Sequence, residues 1–403
     1  MQKILSITSL VIYQFFAILF SINIIKIRNK FMEQNKWRGI FEKLLTLADV
    51  KINGSRPWDI QVRNEKFYRR VITEKSMGMG ESYMDGWWDA EKLDELFTHL
   101  FRAEIDKVKI DWRTILFVAS QVIFNPQRKS KSFEVGRQHY DLGNDLYRAM
   151  LDPRMVYSCG YWKNAANLAE AQEAKMDLIC RKIRLKPGQK VLDIGCGWGS
   201  FAKFAAEKYG AIVTGVTVSK EQAELARQSC VGLPVEIILQ DYRDITEMFD
   251  YIVSIGMFEH VGYKNYRTFM KIAGEHLKDD GLFLLHTIGQ NDTTKTTDAW
   301  LTKYIFTNSS LPSIKQIGES IENIFRLEDW HSFGTDYDKT IMVWLENFEK
   351  NWETLKPKYN DRFYRMWKFY LSASAATFRC RNNQLWQIVL SKKGLLGGCE
   401  EVR

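Results

Sequence analysis

The sequence contains no C-x-x-C pair and no paired cysteine spacing: its six cysteines stand apart at 159, 180, 196, 230, 380 and 399. That excludes a zinc ribbon or a disulfide framework as the organising device and fits a reducing compartment. Internal repeats and low-complexity tracts are also missing. The net charge of +8 over 403 residues is too small to argue for nucleic acid, and no nucleic-acid partner is expected. A mild basic excess suits a protein that visits an anionic membrane surface.

The chain is long enough for two domains with sizeable cores. Only its beginning departs from ordinary globular composition. Ile4 to Ile25 is uncharged and mostly Ile, Leu, Phe and Val. As a helix it would reach about 33 Å, enough to cross a bilayer core. Lys26, Arg28 and Lys30 follow, which would hold the remainder in the cytoplasm, at the inner face of the membrane. No convincing A-x-A cleavage site follows, so an uncleaved anchor is favoured over a removed signal peptide. The other reading takes Met32 as the true start, and residues 1–31 are then an upstream artefact.

Residues 32–131 read as a mainly helical N-terminal domain that docks on lipid. Trp37–Ala48 and Leu93–Phe101 carry apolar residues at helical spacing. Asp59–Val62 suggests a short strand, and Gly78–Trp88 reads as a binding loop or a packed corner. Residues 132–403 alternate between strand and helix. Strands are expected at 191–194, 212–218, 235–240, 250–255 and 282–287. A late pair, 325–330 and 385–391, closes the sheet. Such alternation implies a parallel sheet with helices on both faces and all strand C-termini on one edge, where ligands bind.

The organising stretch is Val191-Leu-Asp-Ile-Gly-Cys-Gly-Trp-Gly-Ser200. A buried strand, a glycine turn and a helix start make a nucleotide site, because glycine lets the backbone bend and free N–H groups face the ligand. The spacing is D-x-G-x-G-x-G and not the dinucleotide G-x-G-x-x-G. It resembles the motif of class I S-adenosylmethionine (SAM) methyltransferases, which implies an α/β, Rossmann-like core. Asp193, Gly195 and Gly197 are then cofactor residues. Such enzymes often end the second strand with an acid; here Thr217 and Gln222 stand in its place and can hydrogen-bond without charge. Gln240 and Asp241 end the third strand, placed for the adenine amino group. Asp241 reads equally as a helix N-cap.

Glu259 and His286 fall on adjacent strand ends over this turn, and two titratable groups there point to chemistry. Neither has metal-ligand spacing, so no metal is expected. Gly136–Asn144, Tyr157–Trp162, Val191–Gly199, Gln240–Asp244, Met257–Gly262 and Leu285–Gly289 together resemble the cyclopropane-fatty-acyl-phospholipid synthases, as does Gly80–Trp88. The resemblance spans residue 33 to the end and leaves 1–31 uncovered, which favours the Met32 reading. It implies methyl transfer from SAM to a cis double bond of a phospholipid acyl chain in the bilayer, then ring closure. It further implies a homodimer, cofactor contacts at Tyr157 and Ser158, and a bicarbonate held by Cys159, Glu259, His286, Tyr337 and the Ile288 backbone. An alkene needs no activating base, so no Ser-His or Cys-His nucleophile is expected. Tyr140, Tyr161, Tyr304 and Tyr337 are candidates to face a developing cation, and each also reads as a core aromatic. Glu259 beside an anion requires either a protonated His286 or a proton of its own.

Overall fold

The computed structural model describes residues 35–105, 143–294, 297–306 and 309–403. The apolar leader, the proposed boundary near 132 and Tyr140 lie outside these residues. Among the described residues no helix is long and apolar enough to cross a membrane. All six cysteines are free thiols.

The N-terminal part runs through helix α1 (35–47), β1 (Gln61–Val62), α2 (Lys66–Met84), β2 (Trp88–Asp89) and α3 (Leu93–Arg102). β1 and β2 pair antiparallel. The stretch read as a binding loop or a packed corner, Gly78–Trp88, opens as the second half of α2, which kinks at Lys75, and then makes a short turn into β2. Helical glycine here answers to packing. A Cβ on Gly80 would fall 2.3 Å from the indole nitrogen of Trp300, so the helix can lie on Trp300 only without a side chain.

The catalytic part contains α4 (Asn144–Met150), α5 (Leu168–Lys182), β3 (Lys190–Ile194), α6 (Ser200–Tyr209), β4 (Ile212–Thr217), α7 (Lys220–Ser229), β5 (Val235–Leu239) and β6 (Phe249–Ile255). It continues with α8 (Tyr266–His276), β7 (Leu277–Gln290), α9 (Ala299–Tyr304), α10 (Ile314–Ile321), β8 (Arg326–Ser332), α11 (Thr335–Lys350), α12 (Asp361–Arg379) and β9 (Asn383–Ser391). The seven strands order as β5-β4-β3-β6-β7-β9-β8. The first five run parallel, and β9 enters antiparallel between β7 and β8.

β3 sits at the centre because Val191, Leu192, Asp193 and Ile194 are all buried, as a strand covered on both faces requires. Val191, Val213, Val253 and Leu284 pack under α5, α6 and α7, while Leu192, Ile252, Phe283 and Leu285 pack under α8 and α10. α12 carries the aromatic run Phe363–Tyr370, in which Phe363, Met366, Trp367, Phe369 and Tyr370 are buried. It shares one apolar cluster with Trp37, Phe67, Trp88 and Phe97 of the N-terminal helices. Ion pairs Arg365–Asp89 (3.0 Å) and Arg379–Asp94 (2.7 Å) edge that contact.

Candidate active site

A cavity of about 470 Å³ opens at the C-terminal ends of β3, β4 and β6, and Tyr157, Ser158, Asp193, Gly195, Gly197, Thr217, Gln222, Gln240 and Asp241 all line it. Its volume falls in the range of about 300–1,000 Å³ usual for small-molecule sites. Gly195 has φ +83°, and a Cβ there would come within 2.6 Å of Met257 Cγ. Only glycine therefore lets β3 turn into α6 and the backbone face the cavity. Thr217 Oγ1 donates to Gln222 Oε1 at 3.2 Å. Asp241 caps the turn that follows, accepting from the Arg243 N–H at 3.0 Å, and its carboxylate pairs with the Arg243 guanidinium. The cap reading of Asp241 holds, and the same residue lines the cavity.

Asp193 is buried, and its Oδ2 has no hydrogen-bond partner. Burial pushes its carboxyl up to about 7 against the opposing field of Lys175. Sequence reasoning missed Lys175, a buried cation on α5 whose Nζ donates to Ser158 Oγ at 2.8 Å. The signal was present: Gln172 and Lys175 fall on the same buried stripe of the helix as Leu168, Ala171, Met176 and Ile179.

Glu259 and His286 do not line this cavity; they lie buried beside it. Glu259 sits in a single 3-10 turn, Phe258–His260, just past β6. Its Oε1 accepts from the Ile288 N–H at 2.6 Å, and its Oε2 is buried without a partner. Burial pushes its carboxyl up to about 7. His286 pairs across the sheet with Ile255 on one side and Gln387 on the other. Its Nδ1 lies 3.3 Å from Gln387 Nε2, and its Nε2 is buried without a partner. Burial, then the fields of Lys175 and Lys182, drive its pKa well below the ordinary imidazole value. Of the two expected alternatives, burial favours the neutral Glu259 over the protonated His286.

Tyr337 lies within electrostatic reach of both Cys159 and Glu259. Tyr337 opens α11 and stacks tilted on Phe378 at 4.6 Å. Burial raises its hydroxyl far above the usual value, and the charges of Tyr370, Cys159 and Glu259 add to the shift. The loop bearing Cys159 is pinned from α11: Thr340 Oγ1 accepts from the Gly160 N–H and Asp336 Oδ2 from the Trp162 N–H. The Cys159 thiol is fully buried, donates to the Gly160 carbonyl, and is pushed far up by burial. A buried thiol held protonated in this way is a poor nucleophile. Cys159→Ser is therefore expected to retain part of the turnover, within about tenfold; complete loss in a folded variant would restore a covalent role. Two other aromatic candidates are engaged elsewhere. Tyr304 donates to Glu81 at 2.8 Å, and Tyr161 packs edge-on against Phe333 and His331.

The raised Asp193 and Glu259 carboxyls set a pH dependence. Between the ordinary carboxylate range and about pH 7 the folded chain keeps two protons that the unfolded chain has released, so stability declines as pH rises through that window. We expect Tm of the ligand-free protein to fall between about pH 5 and 7.5 relative to an Asp193→Asn/Glu259→Gln variant. Parallel pH curves in thermal melts would contradict the neutral carboxyls.

The glycine turn, the buried acid beneath it and the parallel sheet with an antiparallel β9 define a class I SAM-dependent methyltransferase. Residues 127–388 match the profile of the mycolic acid cyclopropane synthetase family, and the chain belongs to that family. The cyclopropane-fatty-acyl-phospholipid synthase of Escherichia coli strain K12 is 50% identical over 359 residues, 89% of this chain and 94% of that one. Sphingolipid C9-methyltransferase A of Emericella nidulans is 33% identical over 66% of this chain and 54% of its own. Among solved structures, the cyclopropane synthase MmaA2 from Mycobacterium tuberculosis superposes with TM-score 0.59 at 31% identity, covering 64% of this chain and 98% of that one. A mycolic acid cyclopropane synthase complexed with SAH and CTAB gives the same score at 32% identity, with the same coverage of both chains.

Proposed function

We propose that the chain adds a methylene from SAM across the cis double bond of an unsaturated acyl chain in a membrane phospholipid, closing a cyclopropane ring, with bicarbonate held as the base. The observation that carries this reading is the pair of buried, unpartnered polar atoms, Glu259 Oε2 and His286 Nε2, beside a donor cavity. Buried polar atoms without partners are rare, and such a pair fits a small polar ligand. The 50% identity to a phospholipid cyclopropane synthase supports the substrate class.

When bound, SAM supplies an electrophilic methyl and bicarbonate supplies the proton acceptor. The residues themselves hold and orient. Asp193, the glycine turn, Tyr157 and Ser158 receive the amino-acid end of the donor, Thr217 and Gln222 its middle, and Gln240 and Asp241 the adenine. Glu259, whose neutral form burial favours, can donate from Oε2 in that form while Oε1 stays on the Ile288 amide. With the Gln387 amide donating to Nδ1, His286 carries its proton on Nε2 and is a second donor. The Tyr337 hydroxyl and the Cys159 thiol remain protonated. These groups can surround an oxyanion without adding a second negative charge, which is what a dry site needs. The N-terminal helices would dock the enzyme as a peripheral protein on the cytoplasmic leaflet, working as a homodimer.

Bicarbonate removal tests the base. In carbon-dioxide-free buffer, turnover on mono-unsaturated vesicles is expected to fall about tenfold or more and to return on adding bicarbonate. Turnover indifferent to bicarbonate would refute that part of the reading.

A further inference from the structure

Lys175 is a buried charge to which the chemistry above gives no task. It is 1% exposed and lines the donor cavity together with Asp193. An ammonium carries three donors, and one is accounted for, on Ser158 Oγ. One turn earlier on α5, Gln172 Nε2 donates to the Ser158 carbonyl at 2.8 Å, so the helix grips Ser158 at two points. On the lining of the same cavity, Asp193 Oδ2 also lacks a partner. Among the described residues neither side chain makes an ion pair: Lys175 Nζ rests on the Ser158 hydroxyl and Asp193 Oδ2 on nothing. Lys175 and Asp193 thus share one cavity without an ion pair, and burial holds the Asp193 carboxyl towards its neutral form until a cation joins it. Unpaired buried charge costs several kcal/mol and persists where something completes it.

The amino-acid end of SAM is a zwitterion, with an ammonium and a carboxylate on one carbon. We propose that Lys175, with the Ser158 hydroxyl, holds the α-carboxylate of SAM, while Asp193 takes its α-ammonium. This inference rests on SAM as the methyl donor. The Ser158 hydroxyl accepts from Lys175 and keeps its own proton to donate to the carboxylate. The cavity then discriminates the intact amino acid from adenosyl thioethers that lack the carboxylate.

Isothermal calorimetry on the full chain tests this with two probes: S-adenosylhomocysteine, and the same thioether without its carboxylate. Wild type is expected to bind the first at least about tenfold tighter. Lys175→Met and Lys175→Gln should each lose about ten- to a hundredfold for S-adenosylhomocysteine and change little for the decarboxylated probe, while Lys175→Arg keeps the preference. Equal losses for both probes would make Lys175 a structural cation only and overturn the proposal. So would a wild type with no preference between them, which decides the matter even if the variants fail to fold. A wild type that binds neither probe would instead overturn the SAM reading itself.

Discussion

Glu259→Ala is expected to lower turnover by about 10²–10³-fold, the usual loss when one preorganised donor leaves a dry oxyanion site. Glu259→Gln should retain clearly more. The two carboxyl oxygens go to different places. Oε1 holds the Ile288 N–H, and Oε2 has nothing to hold within the chain. Burial raises this carboxyl to about 7, so its neutral form is the accessible one near neutrality. A glutamine reproduces that neutral form: its carbonyl accepts from Ile288 and its amide donates where the acid did. Alanine removes both and leaves the Ile288 amide unsatisfied. Steady-state rates with vesicles decide it. Equal loss in both variants would reject a neutral, donating Glu259.

Gly195→Val is expected to abolish donor binding, with S-adenosylhomocysteine affinity reduced by more than about a hundredfold. Two costs meet at this residue. A β-branched side chain at φ +83° is strained, and its Cβ would lie 2.6 Å from Met257 Cγ. The backbone must move, and the first turn of α6 moves with it. Adding Met257→Gly removes both the Cγ and the Cβ that lies 2.7 Å away, so it relieves the collision and leaves the dihedral strain. The double variant is therefore expected to recover part of the thermal stability and little of the binding. Calorimetry and melting curves on the same samples separate the two. Wild-type affinity in Gly195→Val would show that the turn does not contact the donor.

Much of this was written in local patterns. The five parallel strands could be read because each is a short apolar run between turn signals, and β3 ends in a glycine series that only a ligand turn requires. The late pair 325–330 and 385–391 was also legible, although the sequence did not say that β9 would insert between β7 and β8. The half-helix at Gly78–Met84 was missed because two glycines and several aromatics mimic a loop; the close approach of Trp300 that explains Gly80 comes from residues more than two hundred positions away. Lys175 was overlooked for a related reason. Its place on a buried helical stripe was visible, but its meaning depends on Asp193 and Ser158 arriving on the same side. The sequence placed Glu259 at the correct strand end and set it over the cofactor. The structure turns the side chain inward to the Ile288 amide, since side-chain direction is decided by a partner on β7.

The central claim is ring closure on a membrane lipid. The direct measurement incubates residues 32–403 with SAM and vesicles of a mono-unsaturated phospholipid, then analyses the fatty-acid methyl esters by gas chromatography–mass spectrometry. The account predicts an ester heavier by one methylene, with the double bond replaced by a cyclopropane. A methyl-branched or methylidene product would keep the methyl transfer and contradict ring closure, and no product from a chain that still binds SAM would contradict the lipid substrate.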